Sequence, residues 1–214
     1  MILRMLRGII ILTLCIGAFA YYEMHSARRI ESDPGQPTPT KFAIASKTKP
    51  ARVEIASFSG GCFWAMEALF RETPGVIATR VGFSGGHAID PSYKQVCTGK
   101  TGHAETTEVQ FDPDRVSYQH LLELFFENHD PTFNHSGGEA TDQCRSIIFF
   151  HSADQQTLAE AELKKTKSSG DYPLPVLTQI LPAGDFYPAE SYHQQYIEKQ
   201  GIHFVCPIGN GRKR

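Results

Sequence analysis

The chain of 214 residues holds only five cysteines, at 15, 62, 97, 144 and 206, and no Cys-x-x-Cys pair. That scatter speaks against a structural zinc site, whose ligands come in close pairs. His-Glu-x-x-His, Gly-x-x-x-x-Gly-Lys and internal repeats are missing too. Helical zinc peptidases, phosphate-loop enzymes and solenoids are therefore set aside. Basic excess is also lacking. The formal net charge is −2, and two of the positive charges, Arg4 and Arg7, belong to the N-terminal segment. A nucleic-acid partner is not expected of such a balance.

What is present is ordinary for one globular domain: 41% hydrophobic and 21% charged residues, enough to bury a core. Met1 to Ala20 reads as a signal peptide or membrane anchor. Arg4 and Arg7 precede an apolar run from Gly8 to Gly17, and Ala18-Phe19-Ala20 offers small residues for cleavage. The run is short for a membrane span of roughly 20 residues. Phe19, Tyr21 and Tyr22 can extend it, so an uncleaved anchor stays open. The chain is thus expected to be exported, periplasmic or anchored facing outward. Residues 21–50, with Pro34, Pro37, Pro39 and Pro50, read as a flexible linker. The domain is expected over 51–206, with 207–214 as a tail.

Gly60-Gly61-Cys62-Phe63-Trp64 organises that domain. An alternating run, Val53 to Phe58, reads as a strand, and Trp64 to Phe70 has helical spacing. Two glycines let the chain turn between them. Cys62 then falls at a helix start, where amide N–H groups and the helix dipole favour a thiolate. The same sequence also fits a small buried cysteine beneath a helix.

Further strands are expected at Val76–Phe83, Ala104–Phe111, Ser146–Phe150 and Pro175–Leu181. Helices are expected as one turn at Tyr93–Cys97, then Val116–Asn128 capped by Ser117, Ala153–Lys167, and Glu190–Gln200. The alternation suggests an α+β fold, a two-layer α/β sandwich (ferredoxin-like plait) with long active-site loops.

In Ala104–Phe111, Glu105 shares a face with Thr107, Val109 and Phe111. Inward burial would raise its carboxyl pKa and suit it to donate a proton. A frayed, solvated strand start is the plainer reading. His87, His103, His129, His135, His193 and His203 lack ligand spacing and read as loop or surface residues. Phe63 and Trp64 fit either a pocket wall or the core. Tyr93 can donate a hydrogen bond or merely pack.

Gly61-Cys62-Phe63-Trp64, Pro91-Ser92-Tyr93, Gly99-Lys100-Thr101-Gly102-His103-Ala104-Glu105, Asn128-His129-Asp130-Pro131 and Phe186-Tyr187-Pro188-Ala189-Glu190 together resemble the peptide methionine sulfoxide reductase A family. The likeness covers about residues 55–206. It implies reduction of methionine S-sulfoxide, free or in oxidised proteins, as repair of oxidative damage. Cys62 would be the nucleophile and Glu105 the proton donor. Tyr93 would hold the sulfoxide oxygen, and Phe63 and Trp64 would shape the methyl pocket. It implies no metal or organic cofactor, only an external thioredoxin-like dithiol. A monomer is expected.

Two departures stand out. Relatives read Gly-Thr-Gln-Tyr-Arg-Ser where this chain has Thr141 to Ser146, so Cys144 replaces a tyrosine that joins Tyr93. Glu139 matches a position usually held by Asp. Cys206, on a short glycine-containing tail, is the first choice to resolve a Cys62 sulfenic acid, and Cys144 the second. Cys97 is taken as structural. Two rivals remain: a papain-like cysteine hydrolase using Cys62 and His193, with Asn210 as third member, and a non-enzymatic exported domain stapled by disulfides.

Overall fold

The computed structural model describes residues 52–132 and 143–201, all within the compact unit Pro50–Arg214. Expectations for the N-terminal segment and linker, and for His135, Glu139, His203, Cys206 and Asn210, lie outside the described residues. The strands are β1 (Glu54–Ser59), β2 (Val76–Ser84), β3 (Ala104–Phe111), β4 (Ile147–Phe150), β5 (Gln179–Pro182) and β6 (Phe186–Pro188). The helices are α1 (Phe63–Arg71), α2 (Tyr93–Val96), α3 (Tyr118–Glu127), α4 (Ala153–Ser168) and α5 (Tyr196–Lys199). This is a mixed α/β fold around one sheet ordered β5-β4-β1-β3-β2-β6. All neighbours are antiparallel except β4 and β5.

Register puts the apolar face where the alternation of β3 points. Ala56 lies opposite Val109, and Phe58 opposite Thr107. On the other side of β3, Val81 faces Thr107 and Phe83 faces Glu105. Phe58 is the hub of the core. Its ring stacks on Phe70 of α1 at 5.0 Å, Phe125 of α3 at 5.2 Å and Tyr118 at 6.1 Å. Burying such a side chain contributes about 2–3 kcal/mol, and this one ring ties β1 to both α1 and α3.

Helix starts follow their caps. Ser117 Oγ accepts from His120 N, and Ser152 Oγ from Gln155 N. Each cap satisfies one amide that the helix leaves open. Even the single turn α2 has a reciprocal cap between Ser92 and Gln95.

The C-terminal part departs from expectation. Only Tyr196–Lys199 of the expected helix over 190–200 is helical, while Tyr187 and Phe186 pair with β2. The cause is tertiary. Gln195 takes a left-handed φ of 53°, and its N–H donates to buried Glu67 Oε2 at 2.6 Å. Burial pushes that Glu67 carboxyl above the usual range, opposed by this hydrogen bond. The Gln194 amide pairs with both backbone groups of one residue: Val81 N donates to its Oε1 at 2.9 Å, and its Nε2 donates to Val81 O at 2.8 Å. The strand expected from Pro175 begins only at Gln179, because Leu177 N donates to Pro131 O at 2.8 Å rather than joining the sheet.

Candidate active site

Two glycines bring Cys62 to its position for different reasons. Gly61 has φ of 89°, a region side chains avoid. Gly60 is pressed against α3: a Cβ there would meet Phe125 Cε2 at 2.7 Å and His129 Cγ at 3.1 Å. Cys62 is thereby the N-cap of α1, half-buried, with its carbonyl accepting from Ala65 N and Met66 N at 3.2 and 3.3 Å. Its side chain makes no cap hydrogen bond. The first-turn dipole favours negative charge on such a sulfur.

Glu105 is 3% exposed, not frayed into solvent. Phe63 N donates to its Oε2 at 3.0 Å, and Gln143 Nε2 donates to its Oε1 at 3.1 Å. Its own N–H donates to Gln143 O at 2.7 Å. The acid is therefore tied to the residue after Cys62 on one side and to the segment carrying Cys144 on the other. Arg145 Nη2 donates to Gly102 O at 2.8 Å, which pins that segment to the glycine turn before β3.

Phe63, 1% exposed, forms the floor of an aromatic cup. Tyr93 stacks near it at 5.9 Å, Trp64 lies at 6.1 Å and His193 at 5.3 Å. Trp64 stacks on Tyr196 at 4.0 Å. Burial first, then the charge of Glu105 and the nearby Cys97 and Cys62 thiols, pushes the Tyr93 phenol well above its usual range. It stays protonated, and its side chain hydrogen-bonds to the Cys97 sulfur. The structure thus brings Cys62, Glu105, Tyr93, Phe63 and Trp64 together; Cys144 adjoins them through Gln143.

Several residues read differently from the sequence alone. His103, His129 and His193 are 2%, 2% and 1% exposed, not surface groups. His103 accepts from Gly86 N at 3.2 Å and reaches Ala88 O at 2.8 Å, holding the loop after β2. His129 bonds Phe125 O at 2.6 Å and Ser146 Oγ at 2.8 Å, and Ser146 bonds Thr178 at 2.8 Å. Burial pushes His129 down to about 4, against the Phe125 carbonyl and Asp130. Cys97, taken as structural, is exposed. Its sulfur is nonetheless partly covered: burial pushes the thiol up, while Tyr93 and Gln143 draw it back. It borders the site rather than filling the core. Gln143 and Glu190 were not singled out, because nothing in their local sequence marks a glutamine or glutamate that reaches 38 or 97 positions along the chain.

The hydrolase rival loses its base. His193 Nδ1 accepts from Trp64 Nε1 at 3.1 Å, and its Nε2 faces Glu190 at 3.8 Å. Both nitrogens point at partners other than Cys62. Nor does a disulfide join Cys62, Cys97 and Cys144 to one another. No group of three or more potential metal ligands occurs among the described residues.

A cysteine at a helix N-cap position, a buried carboxyl bound to the next amide and a cluster of aromatic rings suit a thiol-dependent oxidoreductase. Residues 54–213 match the family model of peptide methionine sulfoxide reductase, and the chain belongs to the A branch of that family. It is 50% identical over 150 residues to peptide methionine sulfoxide reductase MsrA of Methanothermobacter thermautotrophicus, covering 70% of this chain and 89% of that one. Among solved structures, reduced Mxr1 from Saccharomyces cerevisiae matches with a TM-score of 0.67 at 30% identity, covering 77% of this chain and 95% of Mxr1. Methionine sulfoxide reductase A of Corynebacterium diphtheriae matches with a TM-score of 0.61 at 33% identity, over 78% of this chain and 87% of that one.

Proposed function

We propose that this chain reduces methionine S-sulfoxide, free or in oxidised proteins, with Cys62 as nucleophile and Glu105 as proton donor. The Cys62 thiolate attacks the sulfoxide sulfur. The oxygen takes the proton of Glu105 while Tyr93 donates a hydrogen bond to it. The hydroxyl then passes from the substrate sulfur to the Cys62 sulfur as the S–O bond and the new S–S bond both break, so that methionine leaves as the thioether and Cys62 carries the oxygen as a sulfenic acid. Phe63 and Trp64 hold the substrate methyl, and Glu139 lies upstream of the Cys144 position in the same segment. A second thiol condenses with the sulfenic acid, releasing water and forming a disulfide. Cys206 is the first candidate and Cys144 the second. An external dithiol reduces that disulfide by exchange. Mxr1, the yeast relative, has been solved with Trx2, which supports a thioredoxin-like reductant. No organic cofactor takes part in this sequence of steps.

The observation that carries this reading is the 3.0 Å hydrogen bond from Phe63 N to Glu105 Oε2. It joins the acid to the residue beside the sulfur. The test is a methionine sulfoxide assay with dithiothreitol on Cys62→Ser and Glu105→Gln. Full activity in either variant overturns the assignment.

Three finer points belong to the same reading. The central order β4-β1-β3-β2, linked by α1 and α3, supports a ferredoxin-like plait extended by β5 and β6. Met1 to Ala20 would export the chain to the periplasm or anchor it facing outward; fractionation of cells decides this. We take the enzyme as a monomer, which sedimentation would check.

A further inference from the structure

Trp64 is the only tryptophan in the chain. Its indole N–H donates to His193 Nδ1 at 3.1 Å. An acceptor nitrogen carries no proton, so the neutral ring has its hydrogen on Nε2. That nitrogen is buried and 3.8 Å from Glu190 Oε2, and neither atom has a hydrogen-bond partner. The other Glu190 oxygen accepts from Tyr93 N at 3.1 Å. The imidazole itself sits 4.4 Å from the Tyr93 ring and 5.5 Å from Trp64, centroid to centroid. Trp64 on α1 and Tyr93 on α2 are thus each bound to one member of a close pair, the indole to the imidazole and the backbone amide to the carboxylate, with imidazole and carboxylate 3.8 Å apart.

We propose that His193 and Glu190 are positioning residues that hold the two walls of the substrate cup, Trp64 and Tyr93, at a fixed separation. His193 fixes the indole by accepting its N–H, and Glu190 fixes the first turn of α2. This rests on the reductase reading only for what enters the cup. The linkage itself stands on the four residues.

Neutrality of the imidazole is essential, since an imidazolium has no lone pair for the indole. Burial pushes His193 down to about 4, while Glu190 works the other way. The titratable groups facing the ring are Glu190 and the phenols of Tyr93 and Tyr192. Tyrosine's ordinary pKa of about 10 keeps a phenol neutral in acid.

Two measurements test this. Intrinsic emission of the wild type reports Trp64 alone. It is expected to change in a single acid transition with midpoint about 4. His193→Gln keeps an acceptor oxygen and Glu190, so it should retain the neutral-pH emission and lose the transition. His193→Leu should shift the emission at neutral pH as well. In steady state, His193→Leu is expected to raise KM for methionine sulfoxide about fivefold with kcat changed less, as loss of one hydrogen bond implies, and His193→Gln to restore most of it. Glu190→Gln keeps the Tyr93 acceptor and should raise KM less than His193→Leu. If His193→Leu does not fold, by circular dichroism, the His193→Gln titration decides. An acid transition persisting unchanged in His193→Gln overturns the proposal, as does unaltered emission and KM in folded His193→Leu. Should the wild type lack reductase activity, the function reading fails while the emission titration still judges the linkage.

Discussion

Glu105 and Phe63 are 42 positions apart in the chain, yet the backbone N–H of one donates to the carboxyl of the other at 3.0 Å. Strand β3 and the first turn of α1 are therefore tied together beside Cys62. A displacement of the acid displaces the sulfur's own helix start. The geometry between donor and nucleophile is set by main chain on one side, which is stiffer than contact between two side chains.

Glu105→Gln keeps an oxygen that can accept from Phe63 N and removes the transferable proton. The fold should persist. Formation of methionine in a single turnover should slow by about 100-fold or more, the usual worth of a placed general acid. Rapid-quench analysis of methionine checks this; an unchanged rate would mean that water or another group supplies the proton.

The resolving thiol can be assigned by variants. Cys206→Ser is expected to produce about one equivalent of methionine per chain and then stall with thioredoxin as reductant. Cys144→Ser is expected to turn over. The reverse pattern assigns resolution to Cys144. Cys144→Tyr adds a phenol beside the Gln143 that holds Glu105. It should lower KM for methionine sulfoxide if Cys144 has no redox duty, and stop thioredoxin-driven turnover if it does.

Gly60→Ala drives a methyl to within 2.7 Å of Phe125. Overpacking of this kind costs about 1–3 kcal/mol. The urea midpoint should fall by the corresponding amount. Because Gly60 lies two residues before Cys62, the variant's remaining folded fraction should also lose activity. A midpoint equal to the wild type would show that α3 gives way freely.

Acid should destabilise the protein through His129. In the unfolded chain an imidazole binds its proton near 6.5, whereas burial holds folded His129 down to about 4. Its contribution is complete above pH 6.5 and declines as pH falls through the window to about 4. The loss amounts to about 3 kcal/mol. Thermal melts across that window measure it. A melting temperature independent of pH there would mean that the imidazole can charge without unfolding.

The alternation in Ala104–Phe111 was enough to read the strand and to put Glu105 on the face of Val109 and Phe111, but it favoured a solvated strand start, whereas both faces of β3 are buried and Glu105 with them. Ser117 marked a helix start for an equally local reason. The glycine pair before Cys62 marked the turn. What escaped were effects of distant partners. Gln194 and Gln195 have good helix propensity, but Val81 and Glu67 claim their polar groups and break the helix. The buried histidines escaped likewise. A histidine with both nitrogens satisfied inside the fold has the same sequence context as one in water. The separation of His193 from Cys62 in the sequence suits a base, and the indole that occupies its Nδ1 comes from a residue 129 positions away.

The carboxamide of Gln194 has a further consequence. Outer strands tempt neighbouring molecules to zip on through bare amides and carbonyls. β2 is an inner strand, but its pairing with β6 covers only Gly82 to Ser84. At Val81, just beyond, a side chain stands in for the missing neighbour, matching donor to acceptor and acceptor to donor, so one glutamine occupies both backbone groups where the pairing of the two strands runs out.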